Sequence, residues 1–316
     1  MQIFRSFKIP EIFFNSVLAI GNFDGVHIGH QEVINKAKII SRNKNLKLGV
    51  LTFEPHPKCF FRKEYEFFRL TPFRLKFELL RKMKVDFIVS INFNSNFVKI
   101  SAEQFIEKYL VKLLKINHVV TGFDFVFGNK QKGNVNLMRK ISEKSKEFEF
   151  TEIPEFKKDK FEISSSQTRF FLRNGKLDKV NKILSRDWSI VSRVIQGDKR
   201  ARKFGFNTAN LKVNNFCNLL RGVYMVEVFL LQSNIRKYLG IANYGIKPTF
   251  HKTNPILEVH IFNFKKDIYG KRLRINFLKF IREEKKFESV EKLKDQIIKD
   301  INQVKNDKLF KNNQSS

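Results

Sequence analysis

The stretch GNFDGVHIGH, residues 21–30, decides how the first half of this chain folds. It follows an apolar run, Val17-Leu-Ala-Ile20, that reads as a buried strand stopped by glycine. Beyond His30, apolar residues at Val33, Ile34, Ala37 and Ile40 recur at helical spacing. The ten residues are therefore a strand-to-helix turn with three glycines, one acid and two histidines. Such a turn aims backbone N–H groups and the positive end of a helix at an anion, usually a phosphate. The plainer alternative is a tight turn whose glycines merely permit the bend. His27 and His30 favour the first reading, because residues three apart share a face at the start of a helix.

Outward from this turn the pattern repeats. Residues 46–53, 85–91, 118–122 and 147–153 read as further strands, with helical segments at 72–83, 101–115 and 134–146 between them. Strands separated by helices predict a parallel sheet covered on both faces, with ligands beyond the carboxyl ends of its strands. The segments 54–57, 122–128 and 21–30 all lie at such ends. Ile163-Ser-Ser-Ser-Gln-Thr-Arg169 opens another helix. Its serines are ordinary helix caps on one reading and a polyphosphate cradle on the other. A short helix at 177–184 follows.

After about residue 185 helices give way to strands at 188–195, 223–231, 238–242, 256–262 and 273–280, then one helix over 289–302. This pattern predicts a small antiparallel barrel or sandwich. The expected division is residues 1–184, 185–306 and a polar tail, 307–316.

Composition bounds the rest. With 316 residues, 42% of them hydrophobic, the chain is globular and long enough for two domains. No apolar run reaches the ~18 residues of a membrane span, and the N-terminus lacks a signal-peptide pattern. Cys59 and Cys217 form no CxxC pair, so no disulfide framework is expected and the cytoplasm is the default location. A net charge of +30 suits anionic ligands. The lysines are scattered, however, and accompany 36 phenylalanines and many isoleucines and asparagines, a set drawn from A- and T-rich codons. We therefore expect no nucleic-acid partner and no membrane. His27 and His30 could pair on zinc, but no third ligand lies at metal-site spacing. His118 sits in a strand pattern and reads as a core histidine.

In its ordered set of motifs the chain resembles the bacterial bifunctional riboflavin kinase/FMN adenylyltransferase (FAD synthetase) family. The first half carries GNFDGVHIGH, TFEPHP (52–57), GFDFVFG (122–128) and ISSSQTR (163–169). The second half carries residues 197–210, GVY (222–224), ANYGIKPTF (242–250), EVH (258–260), DIYG (267–270) and REEKKF (282–287). The resemblance implies an α/β, Rossmann-like nucleotidyltransferase domain with a parallel sheet, and an antiparallel β-barrel riboflavin kinase domain with a terminal helix. It also implies two ATP- and Mg²⁺-dependent reactions, riboflavin to FMN in the barrel and FMN to FAD plus pyrophosphate in the sheet domain.

The same resemblance implies the residues. His27, His30 and Arg169 would stabilise charge during adenylyl transfer. Gly21, Asn22, Phe23, Asp24, Gly25, Gly29, Ser164, Ser165 and Ser166 would complete the ATP site, with Asp24 near Mg²⁺. Phe53, Pro55, His56, Asp124 and Phe125 would face the flavin. In the kinase half Glu258 would be the general base, although a strand glutamate taken alone is more often a solvent-facing acid. Gly197, Lys199, Arg202, Gly205, Thr208 and Asn210 would hold ATP, Thr208 and Asn210 would meet Mg²⁺, and Asn243, Arg282 and Lys286 would contact flavin. Two positions depart from the family pattern: Ala201 replaces a glycine and Asn207 a proline. They make a slow or decayed kinase the leading alternative. A nucleic-acid binder on the same fold is opposed by the scattered lysines and intact phosphate loops, and another adenylyl- or cytidylyltransferase by the attached barrel.

Overall fold

The computed structural model describes residues 1–63, 66–155, 157–158, 161–196, 207–231, 236–246 and 254–308. The kinase candidates Gly197, Lys199, Arg202 and Gly205, together with Ala201, lie outside the described residues. The chain divides into two compact units, one of Met1–Tyr65 and Thr71–Ser165, the other of Glu66–Leu70 and Ser166–Ser316.

The first unit is built on a six-stranded sheet. Its strands are β1 (Gln2–Phe4), β2 (Val17–Ile20), β3 (Leu48–Glu54), β4 (Phe87–Asn92), β5 (His118–Gly122) and, after the short pair β6 (Val126–Phe127) and β7 (Gly133–Asn134), β8 (Glu149–Ile153). Their order is β1-β4-β3-β2-β5-β8, and every pairing is parallel. The four residues of β2 are all buried, as a central strand covered on both faces requires. One face carries Val17, Ala19 and Val50 beneath Val33, Ile34 and Ala37 of α1 (Ile28–Asn43) and Leu80 of α3 (Phe73–Lys82). The other carries Leu18, Ile20 and Leu51, with Phe105, Ile106 and Leu110 among the covering residues. The chain leaves β2 toward β3 on one side and later returns to β5 on the other. The carboxyl ends of β2 and β5 thus form the switch point where such sheets bind ligands.

The three-residue edge strand β1 is absent from the sequence reading. Its residues are mostly exposed, so no apolar run marks it; it forms by pairing with β4. Helix α1 also starts three residues earlier than the apolar spacing suggests, at Ile28.

In the second unit six strands close a barrel in the order β11 (Ser189–Ile195), β12 (Thr208–Lys212), β15 (Pro255–Ile261), β14 (Lys237–Ile246), β13 (Gly222–Leu230) and β16 (Arg272–Glu283). This settles the choice between barrel and sandwich. Strand β12 is absent from the sequence reading; Thr-Ala-Asn-Leu-Lys has no apolar run and becomes a strand by pairing with β11 and β15. Trp188, Tyr224, Tyr244 and Phe277, each almost fully buried, fill the second unit's core. Helix α9 (Val290–Asn306) lays Ile301 and Val304 on Val223, Met225 and Ile241.

Candidate active sites

The turn after β2 is built from unusual backbone held by buried polar contacts. Phe23 and Val26 have φ of 48° and 44°, and Gly25 between them has φ 91°. Such geometry in non-glycine residues persists only where the surroundings enforce it. Two side chains do so. Thr71 accepts the Gly25 N–H on Oγ1 at 2.8 Å, and Asp24 Oδ1 accepts from the Thr71 N–H at 2.9 Å and its hydroxyl at 3.2 Å. From beneath, the ammonium of Lys76 donates to the Asn22 carbonyl at 2.8 Å, to Thr52 Oγ1 at 3.3 Å and to Glu54 Oε1 at 3.2 Å.

The turn delivers His27 as the N-cap of α1. Its Nδ1 accepts the His30 N–H at 3.3 Å, which in the neutral ring leaves the proton on Nε2, a donor. The two imidazoles stack with centroids 3.6 Å apart, and the Phe23 ring meets His30 edge-on at 5.3 Å. A side-chain carbon on Gly29 would sit 3.4 Å from the His27 ring, so glycine leaves that ring its room. The first turn of α1 holds no acidic residue, so the positive helix end is not neutralised there. Ser165 Oγ donates to the Asp24 carbonyl at 2.7 Å, which ties Ser165 to this turn. The site can therefore receive a polyphosphate on backbone N–H groups, with two imidazoles alongside.

Not every candidate faces a ligand. Asp24 is 1% exposed and its Oδ1 is engaged by Thr71, which makes it the lock of the turn. Phe53 packs against Phe93 and Phe97 in the core. His56 caps the short helix α2 (Pro57–Arg62), accepting the Lys58 N–H on Nδ1. Pro55 and Asp124 border the carboxyl ends of β3 and β5, Asp124 being exposed, and Phe125 stacks on Phe127. Large exposed aromatics near these ends, Phe61 and Phe123, were missed because exposure has no signature in sequence. At the start of α7 (Ser165–Arg173) Ser164 is half-buried and Ser166 is exposed. Within the second unit, Arg169 is buried, donates from Nε to the Phe68 carbonyl at 2.8 Å and lies over the Phe68 ring.

Lys76 was also missed, although a signal existed. It falls on the apolar stripe of α3, next to Leu75 and four residues before Leu80, where a solvated lysine does not belong.

In the barrel, register assembles the second candidate site. Asn210 on β12 and Asn243 on β14 are both directly opposite Glu258 on β15, and Thr208 is opposite His260. Residues paired across strands share a face. Thr208, Asn210, Glu258 and Asn243 therefore lie together, on the face opposite that of Leu211, Leu257, Val259 and Tyr244. A cavity of about 290 Å³ opens along β12, lined among others by Asn207, Thr208, Asn210, Val259, Asp267 and Tyr269; Thr208 and Asn210 border it, whereas Glu258 and Asn243 do not line it. His260 Nδ1 lies 2.9 Å from the Asn207 carbonyl, so Asn207 is tied into this wall. Arg282 points elsewhere. Its Nε and Nη2 grip the buried carboxylate of Asp300 on α9 at 2.7 to 3.0 Å, and Nη1 donates to the Glu283 carbonyl. It fastens the terminal helix. Lys286 is exposed.

Comparison with known proteins follows the same two-part division. The family described as FAD synthetase matches residues 10–167, and that described as riboflavin kinase matches residues 184–307. The bifunctional riboflavin kinase/FMN adenylyltransferase of Buchnera aphidicola subsp. Schizaphis graminum is 38% identical over 309 residues, covering 96% of this chain and 98% of its own. The protein of the same name from Bacillus subtilis is 37% identical, covering 90% of each chain. A crystal structure described as a macrolide-efflux protein from Streptococcus pneumoniae superposes with a TM-score of 0.82 at 29% identity, over 93% of this chain and 94% of that one. Among the described residues of this chain no helix is long and apolar enough to cross a membrane. With both halves matched in order and relatives aligned along almost their whole length, the chain belongs to the bifunctional riboflavin kinase/FMN adenylyltransferase family.

Proposed function

We propose that this chain converts riboflavin to FMN in its barrel domain and FMN to FAD in its sheet domain, using ATP in both steps. The single observation that carries the reading is that each half gathers its own polar constellation: the stacked histidines at the α1 N-terminus, and the Asn210–Glu258–Asn243 row, whose Asn210 borders the β12 cavity.

In the kinase step Glu258 takes the proton from the riboflavin 5′-hydroxyl as its oxygen bonds the γ-phosphorus of ATP and the β–γ bridging bond breaks, releasing ADP. Thr208 and Asn210 offer neutral oxygen donors beside the cavity. That suits Mg²⁺, which takes few protein ligands and completes its shell with phosphates and water. When bound, the ion neutralises charge on the transferring phosphate. In the adenylyl step a phosphate oxygen of FMN bonds the α-phosphorus of ATP and pyrophosphate leaves, so no protein nucleophile is required. What the site supplies is alignment and charge stabilisation, through the Nε2–H of His27, through His30, and through backbone N–H groups at the helix end. Ser164, Ser165, Ser166 and Arg169 are assigned to the β- and γ-phosphates on the family resemblance. We place the working boundary between the domains near residue 185 and the enzyme in the cytoplasm, in keeping with two buried, unbridged cysteines.

The decisive experiment supplies riboflavin, Mg²⁺ and ATP to the purified chain and separates FMN from FAD by chromatography. Both should appear. FAD formed from added FMN, with no FMN formed from riboflavin, would establish a decayed kinase. Glu258→Gln should abolish FMN formation and leave FMN-to-FAD conversion intact; equal loss of both would refute the assignment of separate sites.

A further inference from the structure

Among the described residues Lys76 is the only buried lysine, with 1% of its surface exposed. Taking an ammonium out of water is costly, and an apolar residue of the same length would pack at that point of α3 without the penalty. Its Nζ reaches three oxygens at the carboxyl ends of two adjacent strands: the Asn22 carbonyl just past β2, and Thr52 Oγ1 and Glu54 Oε1 on β3. Thr52 Oγ1 lies 3.2 Å from the same Asn22 carbonyl. The peptide leading into Phe23 is thus held from beneath at the residue before the backbone turns to positive φ. Phe23 in turn places its ring against His30, which stacks on His27.

We propose that Lys76 is a positioning residue for adenylyl transfer, acting through its hydrogen bond to the Asn22 carbonyl, with Glu54 serving as its counterion. The inference rests on the adenylyltransferase reading of the first domain. Lys76 touches neither substrate nor reacting atoms in this scheme. Paired with Glu54 it adds no net charge beneath the turn, so its effect is geometric. It resists the relaxation of Phe23 to an ordinary negative φ, and it thereby keeps the imidazole pair at the mouth of α1. A misplacement of about 1 Å at such a site costs on the order of 100-fold in rate.

Three variants of the full chain test this: Lys76→Met, Glu54→Gln and the double variant. Each is assayed for FAD formation from FMN, for FMN formation from riboflavin, and for the melting transition of the first domain. Lys76→Met should lower kcat for FAD formation about 100-fold with KM for ATP changed less than about threefold, the pattern of lost transition-state alignment. FMN formation, in the other domain, should be unchanged. Glu54→Gln keeps the Asn22 bond and should retain kcat within about threefold. The double variant replaces the buried pair by neutral groups of similar shape; it should melt like the wild type yet remain as slow as Lys76→Met.

The proposal is overturned if the double variant recovers kcat, since Lys76 would then only neutralise Glu54. It is equally overturned if Glu54→Gln alone loses the rate, if Lys76→Met loses less than about threefold, or if the double variant fails to regain its melting transition. A wild-type chain that makes no FAD would instead refute the underlying reading of the domain.

Discussion

Replacing Arg282 by methionine removes the clamp between barrel and terminal helix. Arg282 Nε lies 2.9 and 3.0 Å from the two oxygens of Asp300, and Nη2 lies 2.7 Å from Oδ2. Asp300 is 3% exposed, and in the variant Gln296 Nε2, at 2.8 Å, is the described side-chain donor that remains to it. Removing one partner of a buried pair strands the other charge and costs about 3–5 kcal/mol. With a urea dependence of about 2 kcal/mol per molar, the unfolding midpoint of the barrel should fall by about 2 M. The measurement is unusually clean because the chain has a single tryptophan, Trp188, and its ring is buried against Phe277 and Phe216 in the second unit. Its fluorescence reports that unit alone. Adding Asp300→Leu to Arg282→Met should restore most of the loss, because the stranded carboxylate is gone. A midpoint shift below about 0.3 M, accompanied by a raised KM for riboflavin, would refute this reasoning and return Arg282 to ligand binding.

Two further outcomes follow from the first domain. Thr71→Val keeps the shape of a fully buried residue but removes the hydroxyl that accepts the Gly25 N–H and meets Asp24 Oδ1; we expect about 2 kcal/mol of destabilisation and a fall in FAD formation, with FMN formation spared. At the opposite end of the sheet, burial holds the His118 imidazole below its ordinary value of 6.5, with Lys44 acting in the same direction against the raising effect of Glu149. The folded state therefore binds this proton less readily than the unfolded chain. The stability it contributes is present above pH 6.5 and is lost as pH falls through the lowered value. His118→Gln should flatten the decline in melting temperature between pH 7 and pH 5; an unchanged profile would show that His118 is not its source.

The candidate site in the barrel shows how much register decides. Thr208, Asn210, Asn243 and Glu258 are dispersed over fifty residues of sequence, with nothing local to say that they meet. Antiparallel pairing of β12 and β14 to either side of β15 places three of them in one row. A one-residue slip of β15 would turn Glu258 toward the interior and Leu257 outward, so the buried alternation of Leu257, Val259 and Ile261 is what holds Glu258 in place. The core thereby sets which residues meet.

Several assignments divide along the same line. By itself the sequence determined the parallel sheet, because β2, β3, β4 and β5 are largely apolar runs, separated by helix-length segments, whose burial on both faces needs no knowledge of their neighbours. It determined the histidine turn and the two-domain family, since those rest on residue types at fixed local spacing. Tertiary structure alone made strands of β1 and β12, whose residues carry no local signal and extend only because a partner strand satisfies their backbone. It alone turned Asp24 inward to Thr71, committed Phe53 to the core and Arg282 to Asp300. And it alone brought Lys76 of α3 under Asn22, fifty-four residues away in the chain. Apolar periodicity is local and survives without the fold; the partner of a buried polar group is chosen by the whole chain.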